Sequence, residues 1–394
     1  MIEGRESEGV SRKLRMGMVG GGPDAFIGEV HRKAARLDGK IEVVAGAFSS
    51  KPEKSRQTGM DLNLDPKRVY DSYREMAEAE KALSENERID FVTIVTPNVV
   101  HYDIAKTFLE AGFHIICEKP MTFNLEQAKK LQQLVKQTGL VFALFHNYTG
   151  YPLVKHAKHL VDTGQLGEIR KIITEYPQGW LITKLEDTGQ KQAAWRTDPE
   201  IAGAGGCLGD IATHAENLAR YITGLELTEI CADLTIFIEG RKLDDDANIL
   251  LRYNNGAKGV LHSSQICTGR ENDINIRVFG SKGGLKWVQE NPNELFYYPA
   301  SGPTQVLTRA NDYLCEAAQR GTRTPTGHPE AYIEGFANIY SNFTDTVIAK
   351  MLGREPSELE NDFPTVDDGV KGLSFIETAI ESNKSGSVWT KMKT

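Results

Sequence analysis

Leu14-Arg15-Met16-Gly17-Met18-Val19-Gly20-Gly21-Gly22-Pro23-Asp24-Ala25 places an apolar run directly before three glycines and a proline. The run to Val19 is short and reads as a strand, and the residues up to about Leu37 read as a helix. Glycines between a strand and a helix permit a tight turn. They also let backbone N–H groups approach an anion at the helix N-terminus. With Ala25 in the third small position the spacing fits G-x-G-x-x-[GA], so the pyrophosphate of a nucleotide is the favoured reading.

Outward from this turn the chain alternates strands with helices. Ile41 to Phe48 is a second strand, and its exit carries Ser49-Ser50-Lys51-Pro52-Glu53-Lys54. An NAD-binding unit usually presents Asp or Glu there to the ribose 2′-hydroxyl. Here the hydroxyls of Ser49 and Ser50, with Lys51, Lys54 and Arg56 nearby, suit a 2′-phosphate equally, so NAD and NADP both stay open. Arg68 to Leu83 has helical composition, Ile89 to Val95 is a strand closing on Thr96-Pro97-Asn98, and a helix follows from Val100 to Ala111. Gly112 to Cys117 is a short buried strand ending abruptly in Glu118-Lys119-Pro120. Proline fixes φ and restricts the residue before it, so Lys119 is a positioned amine where ligands bind in open parallel sheets. A solvated Glu-Lys pair is the competing reading. Asn124, with Gln127 three residues on, caps a helix over Leu125 to Thr138 before a strand from Leu140 to Phe145. This grammar predicts a doubly wound parallel sheet whose exits at Gly20, Thr96 and Glu118 face one crevice.

After His146-Asn147-Tyr148-Thr149-Gly150-Tyr151-Pro152 the grammar changes. A helix over Leu153 to Thr163 leads to a half-exposed strand, Glu168 to Tyr176. Further strands are read over Ile230–Ile238, Ala247–Tyr253, Ala257–Gln265, Asn275–Phe279, Gly284–Val288 and Leu295–Tyr298, spaced as antiparallel hairpins. Pro299 to Thr326 reads as irregular, Pro329–Lys350 and Asp367–Ser382 as helical, and Ser387–Thr390 as strand-like. The expected α/β organisation is a disordered tail over 1–13, a Rossmann domain over 14–148 and a second α/β domain over 149–394. That second domain is built on a large, mostly antiparallel open sheet, with the C-terminal segment a candidate to pack back on the first.

Composition narrows the function classes. A chain of 394 residues favours two domains. Acidic residues outnumber basic ones, 54 against 46, which argues against nucleic acid as partner. No run of eighteen apolar residues offers a membrane span, and Met1 to Arg15 lacks the apolar segment of a secretory signal. Ile2-Glu3-Gly4-Arg5 matches a protease site used in expression vectors or arises by chance. Five scattered cysteines without a CxxC pair suggest a reducing cytoplasm and neither a disulfide framework nor structural zinc.

Gly203-Ala204-Gly205-Gly206-Cys207-Leu208-Gly209-Asp210-Ile211-Ala212-Thr213-His214 is the second chemically suggestive stretch. A helix beginning near Cys207 puts Asp210 and His214 four apart on one face. An acid beside an imidazole, together with a fixed lysine, is apparatus for moving a proton off a hydroxyl. A surface Asp/His pair is the bland alternative, and a metal reading lacks a third ligand.

Taken together, Gly20-x-Gly22-x-x-Ala25, Thr96-Pro97-Asn98 with His101, Glu118-Lys119-Pro120, Trp195-Arg196 and Asp210-x-x-x-His214 resemble one family. It is the glucose-fructose oxidoreductase, inositol dehydrogenase and rhizopine-catabolism (Gfo/Idh/MocA) family, matched in order over about Leu14 to Thr390. The resemblance implies NAD(P)-linked oxidation or reduction of a sugar, polyol or glycoside, with Lys119, Asp210 and His214 as the catalytic set. His214 is expected as general base, Asp210 as its orienting charge, Lys119 as the group that stabilises the alkoxide and Glu118 as support. Cofactor contacts are expected from Gly20, Gly22, Pro23, Ala25, Phe26, Ser49, Ser50 and Lys54 around the first two strand exits. Thr96, Pro97, Asn98, His101, Glu118, Lys119, Asn147, Trp195 and Arg196 complete that set. Substrate contacts are expected from Lys119, Tyr148, Tyr151, Trp180, Asp210, His214 and His328. No metal is expected. A homo-oligomer, dimer or tetramer, is expected through the second sheet.

Two departures stand out. Many relatives carry Asn-Arg where this chain has His146-Asn147-Tyr148, and Ser49 to Lys54 resembles the loop of the NADP-holding branch. Tyr176-Pro177-Gln178-Gly179-Trp180 and Gly327-His328-Pro329-Glu330 look like a subgroup signature that lines a sugar pocket or simply packs. Two rival functions share these residues: a glycosidase or lyase working through transient oxidation by a retained cofactor, and a nucleotide-binding sensor without catalysis.

Overall fold

The computed structural model describes residues 12–23 and 25–393. The first stretch of chain runs β1 (Leu14–Gly20), α1 (Phe26–Leu37), β2 (Ile41–Ala47), α2 (Pro52–Asp61), α3 (Tyr73–Ala82), β3 (Phe91–Val95), α4 (His101–Glu110), β4 (His114–Cys117), α5 (Leu125–Thr138) and β5 (Phe142–Leu144). There follow α6 (Pro152–Asp162), β6 (Ile169–Pro177), α7 (Lys191–Arg196), α8 (Pro199–Ala202), α9 (Thr213–Thr223), β7 (Leu227–Thr235), β8 (Asp246–Tyr253), β9 (Lys258–Ser264), β10 (Asn275–Gly280), β11 (Gly283–Val288), β12 (Glu294–Pro299), β13 (Gln305–Thr308) and α10 (Glu316–Arg320). The chain finishes with α11 (Tyr332–Met351), α12 (Val366–Lys384) and β14 (Thr390–Lys391). Two compact units emerge, one holding the chain up to Asn147 together with Tyr332–Val370, the other holding Tyr148–Ala331 with the chain from Lys371.

The first unit is a five-stranded parallel sheet in the order β2-β1-β3-β4-β5. Its strands are buried on both faces, as their continuous apolar runs require. A single parallel bridge from Gly46 to Val69 lies outside β2. Counted as a vestigial strand, Val69 converts the order to the 3-2-1-4-5-6 of dinucleotide-binding folds, with the reversal between β1 and β3. Met16, Met18, Val43 and Phe91 share a core with Phe336, Tyr340 and Phe343, because α11 lies against α1. Arg12, inside the tail read as disordered, is tied to Asp90 by two N–H···O bonds of 2.7 and 2.8 Å. The rest of that tail, residues 1–11, lies outside the described residues.

In the second unit nine strands form one sheet in the order β13-β12-β11-β10-β6-β9-β8-β7-β14, antiparallel except for the β6/β9 pair. One face is covered by α9, which packs on β6 and β10 and on α6. The registers align Leu250, Val260, Ile173, Arg277, Lys286, Phe296 and Val306 in one row across seven strands. Every member of that row lies on the outward face, and Leu250 and Val306 are exposed. No helix among the described residues is long and apolar enough to cross a membrane.

Among the elements that differ from the sequence reading, three have a plain physical reason. Helix α2 occupies a stretch read as a strand exit, because it buries Ser55, Thr58 and Gly59 and leaves no apolar period to detect. Ser55 Oγ accepts from Phe48 N at 3.0 Å and donates to Tyr70 O at 2.9 Å, which makes a buried serine tolerable. Within the stretch read as irregular, β13 is an edge strand with no buried residue and α10 has five residues, so neither shows a periodic signal.

Candidate functional site

In the first unit the glycine turn is squeezed between strand exits. Gly20 has φ +88°, and a Cβ there would stand 2.7 Å from the carbonyl oxygen of Val95 at the end of β3. Gly28, inside α1, packs so tightly that a Cβ would come within 2.4 Å of the Gly21 Cα. The close approach of helix to turn is thus made at Gly28. Ala25 instead caps α1, its N–H donating to Gly22 O at 3.2 Å, while Phe26 opens the helix with 65% of its surface exposed. Pro23 sits in the turn that precedes α1. Ser49 Oγ accepts from Lys51 N at 3.1 Å, and Ser50 and Lys54 are exposed at the exit of β2 and the start of α2. Arg56 pairs with Asp71 at 2.6 Å, both side chains exposed.

At the exit of β3, Thr96 Oγ1 is buried without a hydrogen-bond partner among the described residues, and so is Nδ2 of Asn147 beyond β5. Buried polar groups are seldom orphaned. Two such atoms among the expected cofactor contacts, beside a turn that excludes side chains, fit a dinucleotide in this crevice. Pro97 and the buried Asn98 form the first turn after β3. His101 is fully buried, its Nε2 at 2.7 Å from Thr96 O and its Nδ1 at 2.9 Å from Pro120 O. Burial pushes its pKa down, opposed by these two carbonyls. Its ring thus ties the exits of β3 and β4 together.

Lys119 follows Glu118 and precedes a cis peptide to Pro120. Its side chain is half-buried, and its N–H donates to Glu118 Oε2 at 3.1 Å. The other oxygen, Oε1, accepts from His31 Nε2 at 2.9 Å, and His31 Nδ1 faces Tyr340 Oη at 2.8 Å. Burial works to raise the Glu118 carboxyl, but His31 and Lys119 outweigh it and hold it below the usual glutamate value. Glu118 is therefore an ionised internal support for the lysine-bearing exit.

In the second unit the residues before α9 depart from the expected α-helix, because Leu208–Ala212 form a π-helical turn. Such turns are frequent where a side chain must be re-aimed at a functional site. The turn is anchored by Asp244, whose carboxylate accepts from Gly206 N and Leu208 N, each at 2.7 Å, and from Cys207 Sγ at 3.1 Å. Burial, followed by the Asp244 charge, pushes the Cys207 thiol well up, so it stays a protonated donor.

Asp210 projects from this turn, half-buried. Its Oδ2 accepts from Gln265 Nε2 at 2.9 Å, and Arg196 Nε stands 3.3 Å from both carboxylate oxygens. Arg196 lies 4.2 Å over the Trp195 ring and also bonds Gln192 Oε1 at 2.5 Å. Arg196, expected with Trp195 among the cofactor contacts, thus also braces the acid. His214 is buried, with the edges of Tyr148 and Tyr176 at ring-centroid distances of 5.0 and 6.3 Å. Those phenols meet at 2.5 Å, and Asn272 joins both.

The remaining expected substrate contacts divide. Tyr151 is fully buried behind Tyr148, stacked at 6.1 Å and bonded by Gln289 Nε2 at 3.3 Å, so it supports the wall. Trp180 is half-buried on a loop zipped to the end of β9 by Gln178 N to Ser264 O and Leu181 N to Gln265 O. His328 is exposed, its Nδ1 at 3.2 Å from Thr326 O, and it shares no described bond or ring contact with Tyr148, Tyr176 or His214. Gln265, Asn272, Gln289 and Asp244 were not foreseen. Polar residues at strand ends give no periodic signal, and Asp244 lies in an acidic run that ordinarily marks solvated loop. Among the described residues no group of three His, Cys, Asp or Glu side chains could hold a metal.

Residues 14–146 match the oxidoreductase family with an NAD-binding Rossmann fold, and residues 154–286 match the GFO/IDH/MocA C-terminal domain. An uncharacterised oxidoreductase of Bacillus subtilis (strain 168), YfiI, is 35% identical over 98% of both chains. The levoglucosan dehydrogenase of Pseudarthrobacter phenanthrenivorans is 29% identical over 96% of this chain and 98% of its own. The crystal structure of an inositol dehydrogenase homolog from Azotobacter vinelandii, complexed with NADH and myo-inositol, superposes with a TM-score of 0.89 at 33% identity, covering 97% of this chain and 98% of that one. The protein is an enzyme whose cofactor is NAD or NADP, and the chain belongs to the Gfo/Idh/MocA family of oxidoreductases.

Proposed function

We propose that the enzyme oxidises a hydroxyl-bearing carbon of a sugar, polyol or glycoside, with Lys119, Asp210 and His214 as its catalytic residues. The observation that carries this reading is the enclosed imidazole of His214. It is walled by two phenols, while the carboxylate of Asp210, four residues earlier in the chain, is bonded by Arg196 and Gln265. The nicotinamide, when bound, supplies the acceptor for the hydride. His214 takes the hydroxyl proton, since an imidazole titrates near neutrality and can return it. Asp210 stabilises the imidazolium that forms, and the Arg196 and Gln265 contacts keep it aimed. Lys119 lowers the cost of charge on the substrate oxygen. The first unit holds the dinucleotide through the Gly20 turn, Thr96 and Asn147. At the ribose, Ser49, Ser50 and Lys54 are the groups expected to choose between NAD and NADP. The named activities of the levoglucosan and inositol relatives support a cyclic polyol or anhydrosugar. The outward row from Leu250 to Val306 supports assembly of the protein into a dimer or tetramer through the open sheet.

The test is a screen of sugars, polyols and glycosides with NAD and with NADP, following reduced cofactor, repeated with Lys119→Met. Turnover by the wild type, lost in the variant while cofactor affinity persists, is expected. Full activity in Lys119→Met overturns the assignment. Release of an aglycone without net reduced cofactor replaces the dehydrogenase with a glycosidase working through transient oxidation.

A further inference from the structure

Asn272 lies between β9 and β10, outside every motif that the function uses, yet its side chain is fully engaged. Oδ1 accepts from Tyr176 Oη at 2.7 Å and from Gln178 Nε2 at 2.8 Å. Nδ2 donates to Tyr148 Oη at 3.2 Å and to Gln289 Oε1 at 3.3 Å. An asparagine amide offers two donors and two acceptor lone pairs, so all four positions are in use. These partners also fix directions. Tyr176 gives its proton to Asn272, and Tyr148 receives one from Asn272, so the 2.5 Å contact between the phenols runs with Tyr148 donating to Tyr176. Asn272, Tyr148 and Tyr176 thus form a closed ring with one sense of donation. Gln289 extends it, because its Oε1 is an acceptor here and its Nε2 is left to donate to Tyr151.

The two phenols in this ring are the walls against which the His214 imidazole packs edge-on. We infer that Asn272 is a positioning residue for His214: its amide, by donating and accepting at once, orders the Tyr148 and Tyr176 hydroxyls and holds the imidazole in its reactive pose. The inference rests on the role proposed above for His214. Misplacing a catalytic group by about 1 Å can cost on the order of 100-fold in rate, so a residue that touches no substrate can still govern turnover.

The direction of donation supplies a specific test. A protonated carboxyl in place of the amide can accept from Tyr176 and Gln178 while donating to Tyr148. An ionised carboxylate accepts only, which forces both phenols to donate to it and breaks the bond between them. Asn272→Asp therefore works while its carboxyl is protonated and fails as the pH rises through that group's pKa. The titratable and charged groups around the position are Tyr148, Tyr176 and, behind them, His214, with Glu290, whose Oε1 accepts from the Asn272 N–H at 2.8 Å. Next to it stands Asp273, paired with Arg270 at 3.2 Å and facing Glu175. These groups are present in both wild type and variant, so a change in the ratio of the two profiles reports the new carboxyl and its coupling to His214.

The experiment measures kcat and KM from pH 5 to 9 for wild type, Asn272→Asp and Asn272→Leu, with myo-inositol as first probe and then any compound turned over in the screen. In parallel, NMR follows the His214 ring, assigned with His214→Gln, in cofactor-loaded protein without substrate. The expected result is a variant-to-wild-type ratio of kcat for Asn272→Asp that falls at least 10-fold with rising pH, and an added inflection in the His214 signal. Asn272→Leu is expected to lose about 10- to 100-fold in kcat at every pH with NAD affinity unchanged. A flat ratio and an unaltered His214 titration in folded Asn272→Asp overturn the inference even if His214→Gln is inactive. Full activity in His214→Gln overturns the proposed role of His214 instead.

Discussion

Replacing His31 with phenylalanine removes the partner of a buried carboxylate without opening a cavity. The new ring fits among Phe145 and Phe336, whose centroids lie 4.4 and 5.2 Å from the imidazole. What is lost is the 2.9 Å hydrogen bond to Glu118 Oε1 and the contact with Tyr340. A hydrogen bond to a charged group contributes about 1.5–3 kcal/mol, and stripping the partner from a buried ion costs about 3–5 kcal/mol. The cost depends on pH with a defined sign. In the wild type the Glu118 carboxyl is held below its ordinary value, so its stabilisation is present above about pH 4.3 and lost as pH falls through the folded pKa. Without His31 the opposing effect of burial dominates and the folded pKa rises. The variant is then least compromised at low pH and loses about 1.4 kcal/mol for each unit that pH climbs above the ordinary value, until the raised pKa is passed. The expected difference is about 1 kcal/mol at pH 4.5 and about 3 kcal/mol at pH 7.5. For a unit of this size that is a Tm lowered by roughly 2–4 °C and 6–12 °C respectively. Differential scanning calorimetry at the two pH values reads it directly. An equal shift at both, or one below about 2 °C at pH 7.5, refutes the description of Glu118 as an ionised internal support.

Gly28→Val places a branched side chain where even a Cβ would lie 2.4 Å from Gly21 Cα, so α1 must move off the turn. Cofactor affinity is expected to fall at least about 10-fold in isothermal titration, and unchanged affinity would remove Gly28 from the cradle. His114 and His156 are each pushed down to about 4, first by burial, and their Nδ1 atoms accept from Val141 N and Cys315 N at 2.9 and 3.0 Å. Both must be neutral to accept, so stability is full above about pH 6.5 and falls as pH drops toward 4, by roughly 3 kcal/mol for each. Denaturation midpoints over that range check this, and His114→Gln should flatten the slope by about half.

Much of the fold was legible because its signals are local. The β1 run ahead of three glycines, the buried strand ending at Lys119-Pro120 and the Asn124 cap each declare themselves within a few residues, and the structure has them there. Helix α2 escaped because it buries small polar side chains, and β13 because an edge strand need bury nothing. The expected site residues were less evenly placed. His101, Tyr151 and Arg196, expected to contact cofactor or substrate, also bond Pro120, Gln289 and Asp210, partners that no local pattern announces.

The sequence by itself determined the parallel sheet, the glycine turn and the identity of the charged groups, because periodicity, glycine spacing and residue chemistry act over short distances along the chain. Only the tertiary structure decided which of those groups are partnered. Whether Asp210 faces Arg196 and Gln265, whether Asp244 anchors the π turn and whether Asn272 orders two tyrosines depend on segments tens to more than a hundred residues apart. No local pattern encodes such pairings. They follow from packing, which brings distant polar atoms out of water and leaves each one no stable place except against another.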